Sequence, residues 1–118
     1  MNGWCISILQ AGQAILTQIR FKDGDTPKYQ RPYLVTRVYP NNQIDLLVAS
    51  SIKGKEHKLS YKTNHEIVNY NPPFKMPTFV KLDSLQRVNC NSIIFHELSG
   101  GSCLAGTELD KILQKLYN

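Results

Sequence analysis

Several absences narrow the reading before any motif is considered. Cysteine is scarce: Cys5, Cys90 and Cys103 make an odd number and show no CxxC spacing. A zinc ribbon is therefore excluded and a disulfide framework has no support, so each cysteine is expected to be a small buried apolar residue in a reducing cytoplasm. The three histidines, His57, His65 and His96, lie far apart with neither HxxxH nor HxH spacing, and no metal site is expected. Gly100-Gly101 lacks the lysine and the strand–loop–helix context of a phosphate-binding loop, so no nucleotide cofactor is expected. No stretch approaches the roughly 20 apolar residues that span a bilayer. The apolar run from Trp4 to Leu9 has no basic flank and stops at Gln10, so a secretory leader is not expected either.

Acid is also in deficit. Nine Asp and Glu face 14 Lys and Arg, a formal charge of +5. That surplus suits a polyanionic partner: nucleic acid, a membrane surface or an acidic protein. Otherwise the composition is globular, with 42% hydrophobic and 19% charged residues over a length of 118, which supplies one core. No repeat, low-complexity tract or linker divides the chain, and residues 1–118 are read as a single domain.

What is present is punctuation at short, even intervals, as in a compact β domain. Residues 13–21 alternate Ile15, Thr17, Ile19 and Phe21 with more polar neighbours, the period of a half-buried strand. A loop over residues 22–30 leads to a second strand at 32–39. Pro40-Asn41-Asn42 makes a tight turn into a third strand at 43–50, whose apolar run from Leu46 to Ala49 suggests burial on both faces. A polar middle follows, with a short strand expected at 57–61, and two adjacent prolines argue against regular structure at the end of the stretch 64–75. A further strand is expected at 78–85, and 88–90 and 92–96 read as two short strands or one bent one. Leu109, Ile112, Leu113 and Leu116 mark an amphipathic helix over about 107–117, with Thr107 as N-cap and Glu108 and Asp110 in its first turn. Five to seven strands and one C-terminal helix make a mainly β fold, a small barrel with a helix packed on it. Periodicity leaves SH3-like, OB-like and plain α+β arrangements open.

The order of motifs goes further. A first strand ends in Phe21-Lys22-Asp23-Gly24, a loop leads to Gln30-Arg31-Pro32-Tyr33, a buried strand ends in Ser50-Ser51, and Pro77-Thr78-Phe79-Val80-Lys81-Leu82-Asp83 comes later. Over roughly residues 12–95 this resembles the MazF/PemK family of toxins. The resemblance implies an SH3-like barrel, a homodimer, and a cytoplasmic endoribonuclease that cuts single-stranded RNA at short sequences and is silenced by a cognate antitoxin. The family carries Thr-Ser at the end of the third strand, where this chain reads Ala49-Ser50-Ser51. Either Ser50 keeps the hydroxyl or Ala49 replaces it, because a one-residue slip exchanges the two faces of a strand.

RNA supplies its own nucleophile, the 2′-hydroxyl, so cleavage needs proton transfer and a stabiliser for the charge that builds on phosphorus, both within reach of protein groups without a metal. A guanidinium offers a fork of donors to two phosphate oxygens. By resemblance Arg31 is the catalytic arginine, with Ser50 and Ser51 as hydrogen-bond partners; the alternatives are a solvated strand-end charge and serines that satisfy a turn. Asn64, Asn69 and Asn71 are candidates to read base edges, with His65, Tyr70 and Phe74 as stacking surfaces, unless these aromatics pack the segment onto the barrel. Lys28, Lys53 and Lys55, with Lys58 beside them, are candidates to track phosphates, or else form a solvated charged loop. Other readings are a non-catalytic nucleic-acid-binding barrel and a peptide-binding module built on exposed aromatics.

Overall fold

A computed structural model describes residues 9–19, 24 and 29–117. Seven strands alternate with short 3-10 turns: β1 (Ala14–Thr17), β2 (Arg31–Val38), β3 (Gln43–Ser51), β4 (Asn64–Ile67), β5 (Thr78–Lys81), β6 (Gln86–Asn89) and β7 (Phe95–Glu97). They precede helix α1 (Gly106–Tyr117). Every pairing is antiparallel, in the order β4-β5-β3-β2-β1-β7, with β6 also on β3. This is the expected mainly β architecture, an SH3-like barrel with a C-terminal helix.

The third strand organises the sheet. Along one edge it pairs with β2 from Ile44 to Val48. Its other edge is shared, with β6 taking Gln43 to Leu46 and β5 taking Ala49 to Ser51. One strand that serves two partners in succession bends the sheet round on itself. Seven consecutive residues, Ile44 to Ser50, are buried, so both faces are covered as the run from Leu46 to Ala49 suggests. The alternation divides them between two cores. Ile44, Leu46 and Val48 pack with Ile15, Tyr33 and Val35 on one face. Leu47 and Ala49 pack with Ala14, Leu34, Val80 and Ile112 on the other, which α1 covers.

The turn before β3 depends on Asn41 and Asn42, at φ of 72° and 64°. Asparagine tolerates this left-handed region better than other residues with a Cβ. The same turn carries Tyr39 to the Asp45 carboxylate, the strongest polar knot of the fold. Asp45 is 1% exposed. It accepts from Tyr39 and Tyr117 hydroxyls at 2.7 Å each and from Arg87 Nε at 2.8 Å. Thr36, at the irregularity in the β2–β3 register, lies 3.0 Å from the Tyr117 hydroxyl. Arg37 lies over the Tyr117 ring and Arg87 over the Tyr39 ring. Strand β3 is thereby tied to the last turn of α1.

Some expectations are corrected. Residues 57–61 are not a strand; they fall mostly in a 3-10 turn, Glu56–Ser60, because Lys58 N bonds back to Lys55 O and Tyr61 N to Lys58 O rather than to a neighbouring strand. The stretch 64–75 opens with strand β4, which the sequence does not mark, paired to β5 from Asn64 to Ile67, and has no regular structure at its prolines, as expected. The strand read over 78–85 stops at Lys81, where the Ser84 hydroxyl donates to Lys81 O and closes a 3-10 turn. Cys90, buried in the first core, is disulfide-bonded while Cys103 is a free thiol, since an odd count still permits one pair. Helix α1 also begins one residue early, which places Thr107 within its first turn rather than at the N-cap.

Burial pushes the Asp45 pKa up, but its bonds from Arg87, Tyr117 and Tyr39 outweigh that and hold it below the usual carboxylate value. The folded carboxyl therefore keeps its charge to a lower pH than the unfolded one. Its stabilisation is complete above about pH 4 and is lost as pH falls through the folded pKa, because the unfolded chain takes up its proton first. Asp45→Asn is expected to unfold at a lower temperature than the wild type at neutral pH, and the gap is expected to narrow on acidification. Thermal unfolding of both proteins across a pH series checks this; a gap that widens in acid contradicts it.

Candidate functional site

The start of β2, the end of β3 and the adjoining strand β5 bring the site together. Strand β2 begins at Arg31, and its register with β3 runs Val35↔Leu46, Leu34↔Leu47, Tyr33↔Val48. Two further steps along that register set Arg31 opposite Ser50. On the other edge Ser50 pairs with Phe79. Strand alternation puts Ser50 on the face of Val48 and Tyr33, and Ala49 on the face of Leu34 and Ile112. Ala49 is 1% exposed and sits inside the second core. The hydroxyl that shares a face with Arg31 therefore belongs to Ser50.

The loop after β3 folds back onto this point. Gly54 has a φ of 78°, which admits a tight reversal, and Lys55 N bonds to Ile52 O at 2.7 Å. The reversal returns Lys55, whose Nζ donates to Ser50 Oγ at 2.9 Å. The 3-10 turn then carries Lys58, its carbonyl taken at 2.9 Å by Asn64 Nδ2. Lys81 ends β5, two residues beyond Phe79 and so on the Ser50 face. Its pKa is lowered, first by burial and then by the charges of Lys58, Arg31 and Lys55, with Asp83 opposing. Three cations thus act on Lys81, and one of them, Lys55, is bonded to the serine hydroxyl. Beneath them lies Tyr33, 1% exposed, its pKa raised by burial and drawn back by Arg31. The Tyr33 hydroxyl has no hydrogen-bond partner among the described residues. Such a concentration of positive charge, with a guanidinium and a hydroxyl within it, is complementary to a phosphodiester.

Ser51, one residue on, turns to the other side of the sheet. There a cleft of about 370 Å³ is walled by Leu16, Pro32, Phe74, Met76 and Leu98, and both Ser50 and Ser51 line it.

No family model and no curated protein matches this chain. Solved structures do. It is similar to a chain of the MazE–MazF crystal structure (Form-II) from Deinococcus radiodurans, with a TM-score of 0.62 at 16% identity over 92% of each chain. The Form-III crystal of the same complex gives 0.58, again at 16% identity over 92% of each chain. The fold is MazF-like.

Within this MazF-like fold the residues expected at the site separate into two groups. Arg31, Ser50 and Lys55 converge, with Ser51 and Phe74 on the adjoining cleft. Lys53 is exposed on the same loop. Lys28 lies outside the described residues. Asn64 spends its amide on the Lys58 carbonyl and so positions that loop. His65 pairs with Val80 and therefore faces α1, away from Ser50. Lys115 Nζ meets its Nδ1 at 2.8 Å, and burial followed by that charge lowers its pKa. Asn69 Nδ2 donates to Glu108 at 3.3 Å, as does Val68 N. Tyr70 packs against the second core, and its carbonyl accepts Phe74 N at 2.8 Å. His65, Asn69 and Tyr70 hold β4 and its following loop to α1, because that segment starts as a strand and needs its side chains to seat the helix.

Lys81 is the cation that the sequence reading left out, and Lys58 joins the site beside Lys55. Lys81 ends the Pro-Thr-Phe-Val-Lys stretch, where alternation from Phe79 assigns it a face; knowing that this face meets Ser50 requires the β3–β5 pairing. Among the described residues no group of three or more His, Cys, Asp or Glu is placed to hold a metal ion, and no helix is long and apolar enough to cross a membrane.

Glu108 is 1% exposed and supplies the acceptor for both Val68 N and Asn69. Glu108→Ala removes the acceptor from two donors in exposed residues, which solvent can reach, and is expected to cost about 0.5–1.5 kcal/mol of stability. Urea unfolding measures this; an unchanged midpoint would show that the contact between β4 and α1 rests on apolar packing alone.

Proposed function

We propose that this chain is the toxin of a toxin–antitoxin pair, an endoribonuclease that cuts single-stranded RNA in the cytoplasm without a metal. The observation that carries this reading is Lys55 bonded to the Ser50 hydroxyl, with Arg31 on the same face and the charges of Lys58, Arg31 and Lys55 acting on Lys81 beside it. A MazF-like fold supports it, and the solved neighbours are complexes of MazF with MazE. The partner of this chain is accordingly an antitoxin that covers the same cationic end, and the working unit is a homodimer.

The chemistry follows from the groups at hand. The 2′-hydroxyl of the RNA gives up its proton to solvent water and its oxygen attacks the adjacent phosphorus. The bond to the 5′-oxygen breaks, and that oxygen takes up a proton. The products are a 2′,3′-cyclic phosphate and a 5′-hydroxyl end. Arg31 grips the two non-bridging oxygens and is strongest where their charge peaks. Ser50, already held by Lys55, orients the phosphate through its hydroxyl. Lys81, an ammonium weakened by burial and by its cationic neighbours, is the acid for the leaving 5′-oxygen. Lys53, Lys55 and Lys58 follow the flanking phosphates.

Purified protein incubated with a long single-stranded RNA in EDTA is expected to yield discrete fragments. Arg31→Ala should slow cleavage by roughly 10²–10³-fold, the usual loss when a charge-stabilising donor is removed. Lys58→Ala should weaken RNA binding across all sequences and reduce the slope of log K against log salt by about 0.7. RNA bound but never cut would reassign the chain as a nucleic-acid-binding barrel; RNA neither bound nor cut would overturn the proposal.

A further inference from the structure

The cleft on the far side of the strand ends is not used by the chemistry above. We propose that it receives the nucleobase next to the phosphate held at Arg31 and Ser50, and that Glu97 selects a base presenting N–H donors. This rests on the RNA reading of the preceding subsection and deepens it from a phosphate site to a nucleotide site.

Three features point this way. The first is continuity. Ser50 and Ser51 line the cleft, and Ser50 Oγ belongs to the cationic end, so the two sites share a strand terminus. A nucleotide carries its phosphate and its base on one sugar and needs sites that adjoin in this manner. The second is the wall. Leu16, Pro32, Phe74, Met76 and Leu98 offer apolar surface to the faces of a ring, and about 370 Å³ lies at the small end of the range for ligand pockets.

The third is the carboxylate of Glu97, an exposed residue of the cleft lining that is tethered by one side-chain hydrogen bond. Glu97 Oε2 accepts from Gln13 Nε2 at 3.1 Å. The same Gln13 nitrogen donates to Gly101 O at 2.8 Å, and Gln13 Oε1 accepts from Gln10 N at 2.8 Å, so the amide that grips Glu97 is itself held at both ends. The backbone closes on the carboxylate from the other side. Gly101 has a φ of 84°, and a Cβ there would come within 2.9 Å of Glu97 Oε2. Glu97 is exposed, so its carboxylate is open to a ligand beyond the bond to Gln13. A carboxylate only accepts. It suits the amino group of adenine or cytosine and the N–H groups of guanine. Uracil offers one N–H flanked by two carbonyls, which a carboxylate repels.

The test is fluorescence anisotropy with labelled 2′-O-methyl hexamers of adenosine, cytidine and uridine, which cannot be cleaved. The wild type is expected to bind the adenosine or the cytidine hexamer at least about tenfold more tightly than the uridine one, the worth of a charge-assisted hydrogen bond. Glu97→Gln keeps an acceptor for Gln13 and adds a donor, and should bring the three affinities within about threefold of one another. Arg31→Ala should weaken all three by a similar factor and keep their ratio. Equal binding of all three by the wild type, or a preference that survives in Glu97→Gln, overturns the base site; if the same protein still cuts RNA, the ribonuclease reading stands without it. No binding to any hexamer, together with no cleavage, overturns the ribonuclease reading itself.

Discussion

Everything in this molecule hangs on a strand that has no outer face. From Ile44 to Ser50 each side chain of β3 is enclosed, alternately by the barrel interior and by the layer under α1. Burying both faces removes the freedom to slip by one residue, because a slip would exchange two differently shaped sets of side chains. The register with β2 and β5 is therefore fixed, and with it the identity of the residue that emerges at the end. That is why Ser50 and not Ala49 shares a face with Arg31.

Strand β3 also explains why its end is open. Its outer edge is divided between β6 and β5, which bends the sheet, and β2 begins only at Arg31. Polar and charged groups collect there: Ser50 and Ser51 end β3 and Arg31 begins β2, while Lys81 lies farther along β5 on the Ser50 face. Buried cations cost desolvation, and these are kept at a border where solvent or a polyanion can compensate them. The opposite end of the strand has the reverse arrangement. There the buried Asp45 is compensated internally by Arg87, Tyr39 and Tyr117, so its charge serves to hold α1 in place. One end of β3 is electrostatically satisfied by the fold, and the other gathers an excess of one sign.

Much of the fold is legible in the chain. The period-two stretch around Ile15, the double-sided run from Leu46 to Ala49 and the 3.6-residue stripe from Leu109 to Leu116 each report a local burial pattern, and local burial is what periodicity encodes. The polar middle is harder to read. His57–Tyr61 and Asn64–Ile67 are comparably short and mixed, and what makes only the latter a strand is an edge of β5 waiting to be paired. The same holds for site residues. His65, Asn69 and Tyr70 are of types that bind RNA, but β4 and its loop turn them toward α1, where Glu108 and Lys115 engage two of them. Residue type states what a side chain can do; its face decides what it meets.

The sequence alone determined a small basic β domain with one amphipathic helix at its end, and it placed Arg31 and the serine pair at strand boundaries, because these follow from composition, turn chemistry and hydrophobic period. Tertiary structure decided which strands share β3, and hence that Lys55 reaches Ser50, that Lys81 shares its face, that Glu97 lines the cleft and that His65 does not. Those are contacts between residues far apart in the chain. No local pattern specifies them, because they arise only when pairing and packing fix the register of the whole sheet.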